Sequence, residues 1–153
     1  MKILIDADGC PVVKITQEIA NFNELEVMIF CDSSHALDSK YGNVITVMKG
    51  KDSVDFELIK YVKSNDIVIT QDYGLAAMCL AKGGRVINQN GMIYTETNID
   101  QLLFSRHESS KIRKSGVRIK GPKKRTKKDN ESFELAFKRL IKEEEDQNGV
   151  KNI

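Results

Sequence analysis

The sequence predicts an α/β fold built on a mainly parallel sheet, and three features carry that expectation. Five short apolar runs of strand length recur between residues 2 and 88. Segments with apolar residues at helical spacing lie between them, and strands that alternate with helices pair in parallel through right-handed crossovers. At 153 residues with 41% hydrophobic side chains, the chain is long enough to bury a core without disulfides or a structural metal.

Residues 2–7 (KILIDA) read as the first strand, apolar because both faces of a parallel sheet are covered. Pro11 stands where a helix starts, in the first-turn position that proline favours. Val12, Ile15, Ile19 and Phe22 follow as an inward stripe. Residues 25–31 (LEVMIFC) form the second strand, SSHALDSKYGN a polar connection and residues 44–48 (VITVM) the third strand. Asp52 or Ser53 caps a helix that runs to Lys63, with Val54, Leu58 and Val62 inward. Residues 67–70 (IVIT) are the fourth strand, 73–82 a helix ended by Gly83-Gly84, and 85–88 (RVIN) the fifth strand. After the Asn90-Gly91 turn, residues 92–95 make a short extra strand and 98–114 a helix. A last helix from about residue 130 carries Phe133, Phe137, Leu140 and Ile141 on one face, and the tail after Asp146 is expected to fray.

The net charge of +2 hides an asymmetry. Residues 1–104 hold 9 Lys/Arg against 14 Asp/Glu, and residues 105–153 hold 15 against 8. An acidic body with a basic end fits a polyanionic partner such as nucleic acid. Cys10, Cys31 and Cys79 are odd in number and widely spaced, which argues against a disulfide framework or a zinc knuckle and for reduced thiols in the cytoplasm. Two histidines, His35 and His107, are too few for a His-rich metal site and read as surface residues. No apolar run approaches the roughly 18 residues of a membrane span.

Aspartates mark the chemistry. Asp6 and Asp8 close the first strand, two residues apart, so in extended chain both carboxylates fall on one side. Asp72 follows the fourth strand, with Thr70 in the same turn to orient a ligand or water. Asp52 and Asp55 open the helix after the third strand. Each of these also reads as a helix cap, but together they stand at the sheet end where open α/β folds bind ligands. Oxygen donors without His or Cys suit Mg²⁺ or Mn²⁺, ions that activate water for in-line displacement at phosphorus. Cys10 lies by a helix start that would lower its pKa, yet no histidine is near it and the aspartates oppose a thiolate, so it reads as a packing residue.

The segments IDADGCPV (5–12), SVDFELI (53–59), DIVITQDYGLAAMCL (66–80) and RIKGPKKRTKKD (118–129) resemble the YaiI/YqxD family of bacterial proteins over nearly the whole chain. That family is grouped with PIN-like domains. The resemblance implies a Rossmann-like three-layer sandwich with a C-terminal helical extension, and a metal-dependent nuclease whose acidic positions carry over to Asp6, Asp55 and Asp72, with Asp8 and Asp52 as additions. Many PIN nucleases place a fourth carboxylate in the helix after the third, and residues 73–82 contain no acid.

The expected organisation is a PIN-like domain over 1–110, a basic loop over 111–128, a helix packed on the domain over 129–146 and a tail over 147–153. The loop holds 10 Lys/Arg and no acid, and in it Lys120, Lys123, Lys124 and Arg125, together with Thr70, are the expected nucleic-acid contacts, RNA being favoured. Two other readings compete. A non-catalytic RNA-binding or regulatory module would keep the fold and the basic loop. A haloacid-dehalogenase-like phosphatase would use the DxD of IDADG, with Asp6 as nucleophile and Asp8 as acid. Cys10-Pro11 departs from that motif and no late GDxxxD-type motif follows.

Overall fold

The computed structural model describes residues 1–32, 41–48, 50, 52–116 and 123–151. Its elements in chain order are β1 (Lys2–Asp6), α1 (Val13–Phe22), β2 (Glu26–Asp32), β3 (Asn43–Val47), α2 (Ser53–Tyr61), β4 (Ile67–Ile69), α3 (Tyr73–Ala81), β5 (Arg85–Ile87), β6 (Ile93–Tyr94), α4 (Glu96–Lys114) and α5 (Lys127–Lys151). The sheet order is β3-β2-β1-β4-β5-β6. Pairing is parallel except for β6, which runs antiparallel to β5. This is the expected α/β fold, a Rossmann-like three-layer sandwich.

Alternation along the strands builds the layers. Ile3, Ile5, Val27, Ile29, Ile67 and Ile69 face α1 and α5, where they meet Ile19, Ala20, Phe133 and Phe137. Leu4, Met28, Phe30, Val68 and Val86 face the other way, onto Leu58 of α2, Leu75 and Cys79 of α3 and Ile99 of α4. Phe133, Phe137, Leu140 and Ile141 are all buried, as their spacing predicts. At the amino edge of the sheet, buried Asp66 accepts from the Lys2 and Lys63 backbone amides (3.0 and 2.9 Å) and pairs with the Lys2 ammonium.

Four local expectations need correction. Phe22 is 88% exposed; the inward stripe of α1 runs instead through Val12, Thr16, Ile19 and Ala20. Thr16 tolerates burial because its hydroxyl donates to the Val12 carbonyl at 2.7 Å. Pro11 sits in the turn before α1, whose N-cap is Val12. Asp52, the N-cap of α2, makes no side-chain cap bond and has a φ of 59°. Helix α4 starts at Glu96, two residues early, through a capping box in which Thr95 and Asn98 bond each other's backbone; the signal is weak in the sequence because Asn stands where Glu or Gln is usual.

Both ends of the basic segment are helical. Residues 111–114 are the last turn of α4, and Lys127 and Lys128 the first turn of α5, which continues to Lys151 past the expected frayed point. Among the described residues no helix is long and apolar enough to cross a membrane.

The chain winds outward from β1 through β2 to β3, then crosses back to β4 on the other side of β1. The reversal places a crevice at the carboxyl ends of β1 and β4, the ligand position of open α/β sheets.

Candidate functional site

Register puts the first acid against the second turn. Ile5 pairs with Ile69, so the next residues along, Asp6 and Thr70, are neighbours. The buried Thr70 hydroxyl donates to Asp6 Oδ2 at 2.7 Å and accepts from the Asp72 amide at 3.0 Å. One hydroxyl thus joins the end of β1 to the start of α3. Thr70 is itself held by Tyr94, whose hydroxyl donates to the Thr70 carbonyl at 3.2 Å. Asp72 caps α3, with Oδ1 accepting from the Leu75 amide at 3.0 Å.

Asp6, Asp8, Gly9, Gln71, Asp72, Tyr73 and Arg106 line a cleft of about 430 Å³. Gln71 closes one wall by donating to the Gly9 carbonyl at 3.1 Å. Asp8 leans toward β2 and accepts from the Asp32 amide at 3.1 Å. Asp55 does not line the cleft but lies within electrostatic reach of it. Its carboxyl is pushed up to about 7 by burial and by the charges of Asp72, Asp6 and Asp52, against the lowering influence of Arg106. The Asp6 carboxyl is pushed up to about 6, mainly by burial, with Asp72 and Asp8 adding to the rise and the Thr70 hydrogen bond opposing it. Two carboxyls pushed up by burial and by neighbouring carboxylates, Asp72 foremost among them, mark a place where a cation would be welcome.

Of the expected site residues, Asp6, Asp8 and Asp72 share the cleft, Asp55 is coupled to them, and Asp52 is exposed at the margin beside Asp55. Among the described residues, no three His, Cys, Asp or Glu side chains converge closely enough to grip one ion by themselves.

The expected nucleic-acid contacts divide differently. Thr70 is 1% exposed, with its hydroxyl between Asp6 and Asp72, where it orients the Asp6 carboxylate and holds the Asp72 amide. Arg125 spends its guanidinium on Asn130 Oδ1 (2.8 Å), Asn90 Oδ1 (2.6 Å) and the Gln89 carbonyl (2.7 Å), which makes it an anchor between α5 and the turn after β5. Lys123 and Lys124 are exposed, and Lys120 lies outside the described residues, as does His35. His107 is exposed. Cys10 is pushed up to about 11 and Cys79 up to about 12, in both cases chiefly by burial, as inert packing thiols are.

Sequence reasoning missed Arg106, Tyr73 and Gln71. For Arg106 a signal exists: Ile99, Leu102, Leu103 and Arg106 fall on one helical stripe, so the arginine continues the inward face of α4.

The comparisons agree with the resemblance read from the motifs. The model of a family described as uncharacterised, the YaiI/YqxD family, matches residues 4–143. A UPF0178 protein of Exiguobacterium sibiricum is 48% identical over 146 residues, 95% of this chain and 100% of the relative. One of Ruminiclostridium cellulolyticum is 51% identical over 144 residues, 94% of each chain. One of Clostridium acetobutylicum is 46% identical over 143 residues, 92% of this chain and 97% of the relative. No solved structure matches. With a family match over most of its length and relatives near half identity from end to end, the chain belongs to the YaiI/YqxD family.

Proposed function

We propose that this chain is a metal-dependent nuclease of the PIN-like kind, hydrolysing phosphodiester bonds with RNA as the favoured substrate and Mg²⁺ or Mn²⁺ as cofactor, in the cytoplasm. The observation that carries this reading is the pairing of Asp6 and Asp72 through one buried hydroxyl at the switch point of the sheet. The donor set fits the ion. Mg²⁺ is usually bound by one or two carboxylates, several waters and substrate phosphates, without an all-protein cage, so a site short of three converging ligands still suits it.

Asp6 and Asp72 would hold the ion, with Asp55 and Asp8 adding charge around it; when bound, it supplies an activated water and a positive centre against the charge that develops at phosphorus. Thr70 keeps the Asp6 carboxylate aimed into the cleft, and the Leu75 amide fixes Asp72. Exposed Lys123 and Lys124 would track the phosphate backbone.

Purified wild type and Asp6→Asn, incubated with labelled RNA and Mn²⁺ or with EDTA, test the proposal. Cleavage should require the metal. It should fall in Asp6→Asn by more than the roughly 10–100-fold that loss of an outer-shell partner costs. Equal activity in the two proteins would contradict it. One observation favours the non-catalytic alternative: α3, YGLAAMCLA, carries no acid. RNA binding without cleavage, in the presence of Mn²⁺, would select that reading.

A further inference from the structure

We infer that Arg106 is the displaceable counter-ion of the acidic cleft: it rests on Asp72 when no metal is bound and turns to a ligand phosphate once a divalent cation takes its place. The inference rests on the metal site proposed above and assigns a role to a residue outside its carboxylates.

The guanidinium reaches the cleft because Arg106 lies seven residues after buried Ile99, on the face of α4 that also packs Leu102 and Leu103 toward the core. Among the described residues it is the one cation lining a wall made by Asp6, Asp8 and Asp72. Its hold there is slight. Arg106 Nη1 stands 3.9 Å from Asp72 Oδ1, the oxygen that already accepts from the Leu75 amide, and the arginine side chain is 60% exposed. A single long contact in solvent is a weak, screened pair.

Other arginines show what a structural role looks like in this fold. Arg125 donates three bonds of 2.6–2.8 Å. Arg85 donates to the Leu140 and Asn65 carbonyls at 2.8 and 3.2 Å and pairs with Glu144. Among the described residues Arg106 makes no such set of bonds, so its place there is kept by the negative charge of the cleft. A divalent cation between the same carboxylates removes that attraction and repels the guanidinium. The planar fork is then released beside the ion, where a phosphate would sit, and it matches phosphate oxygens two at a time. The ligand class is a nucleotide phosphate.

The test compares wild type, Arg106→Gln and Arg106→Lys, whose thermal midpoints should agree because the side chain is exposed. Mn²⁺ titrated alone, by calorimetry at low salt, should bind Arg106→Gln tighter than wild type by about tenfold, since a competing unit charge has gone. Arg106→Lys should stay near wild type. With Mn²⁺ saturating, uridine 5′-monophosphate should bind Arg106→Gln more weakly than wild type, with Arg106→Lys between them. Mn²⁺ bound equally by wild type and Arg106→Gln would overturn the counter-ion role while leaving the metal site standing. Failure of all three proteins to bind Mn²⁺ would overturn the metal site and the inference with it.

Discussion

Asp6 and Asp55 are held at a cost that a cation would remove. Their carboxyls titrate near 6 and 7 in the fold, against about 4 in an unfolded chain. Both values are raised, so the folded state binds more protons than the unfolded one between those limits. By linkage, their contribution to stability is fully present below pH 4 and is lost as pH rises through 6 and 7. In EDTA, Asp6→Asn should therefore be more stable than wild type at pH 8 by about 1–3 kcal/mol, one pKa unit being worth 1.36 kcal/mol. The advantage should shrink toward pH 4. Urea unfolding at the two pH values checks this, and an advantage independent of pH would point to packing as its cause. Thr70→Val offers a second residue-scale test. It removes the hydrogen bond that opposes the rise at Asp6, so the Asp6 carboxyl should titrate above its wild-type value in a carboxyl-resolved NMR titration.

At the scale of elements, the start of α5 is fastened to the turn after β5, and this brings Arg125 and the described lysines beside it to the carboxyl edge of the sheet. Arg125 bonds Gln89 and Asn90 across that joint, and its charge is felt at Cys10, in the loop that follows β1. Gly91 completes the joint: its φ is +90°, and an added Cβ would stand 2.5 Å from the Ser132 carbonyl oxygen of α5. Gly91→Ala should destabilise the protein by about 1–3 kcal/mol through strain and overpacking, measured as a lower urea midpoint at unchanged m-value. The joint also separates two kinds of cation that look alike in the sequence KKRTKK. Lys123→Ala and Lys124→Ala should each reduce the log-log salt slope of RNA affinity by about 1. Arg125→Ala should weaken binding without lowering that slope, because its guanidinium is committed to the protein. An equal loss of slope in all three would return Arg125 to the phosphate path.

For the whole molecule, the sheet and its layers were legible because each strand is a local apolar run and each helix a local stripe. The positions of Asp6, Asp8 and Asp72 after strands followed from the same reading. What escaped it depends on lateral neighbours. The Thr70 bridge needs the β1–β4 register, the turn of Asp8 toward Asp32 needs β2 alongside, and the support of Thr70 by Tyr94 needs the return of β6 along β5. Phe22 misled because a one-residue change in the chosen stripe of α1 moves its last member from core to solvent. Arg106 stands among many charges at the basic end of the chain, and only the apolar stripe of Ile99, Leu102 and Leu103 that leads up to it sets it apart. These pieces meet in one claim, that the crevice between β1 and β4 is a divalent-metal site. The most direct test is a crystal soaked in Mn²⁺ and measured at the manganese absorption edge. The account predicts an anomalous peak in the cleft, coordinated by Asp6 and Asp72 with water completing the shell and Arg106 turned away from Asp72. A cleft without a peak at saturating Mn²⁺, with Arg106 still resting on Asp72, would contradict it.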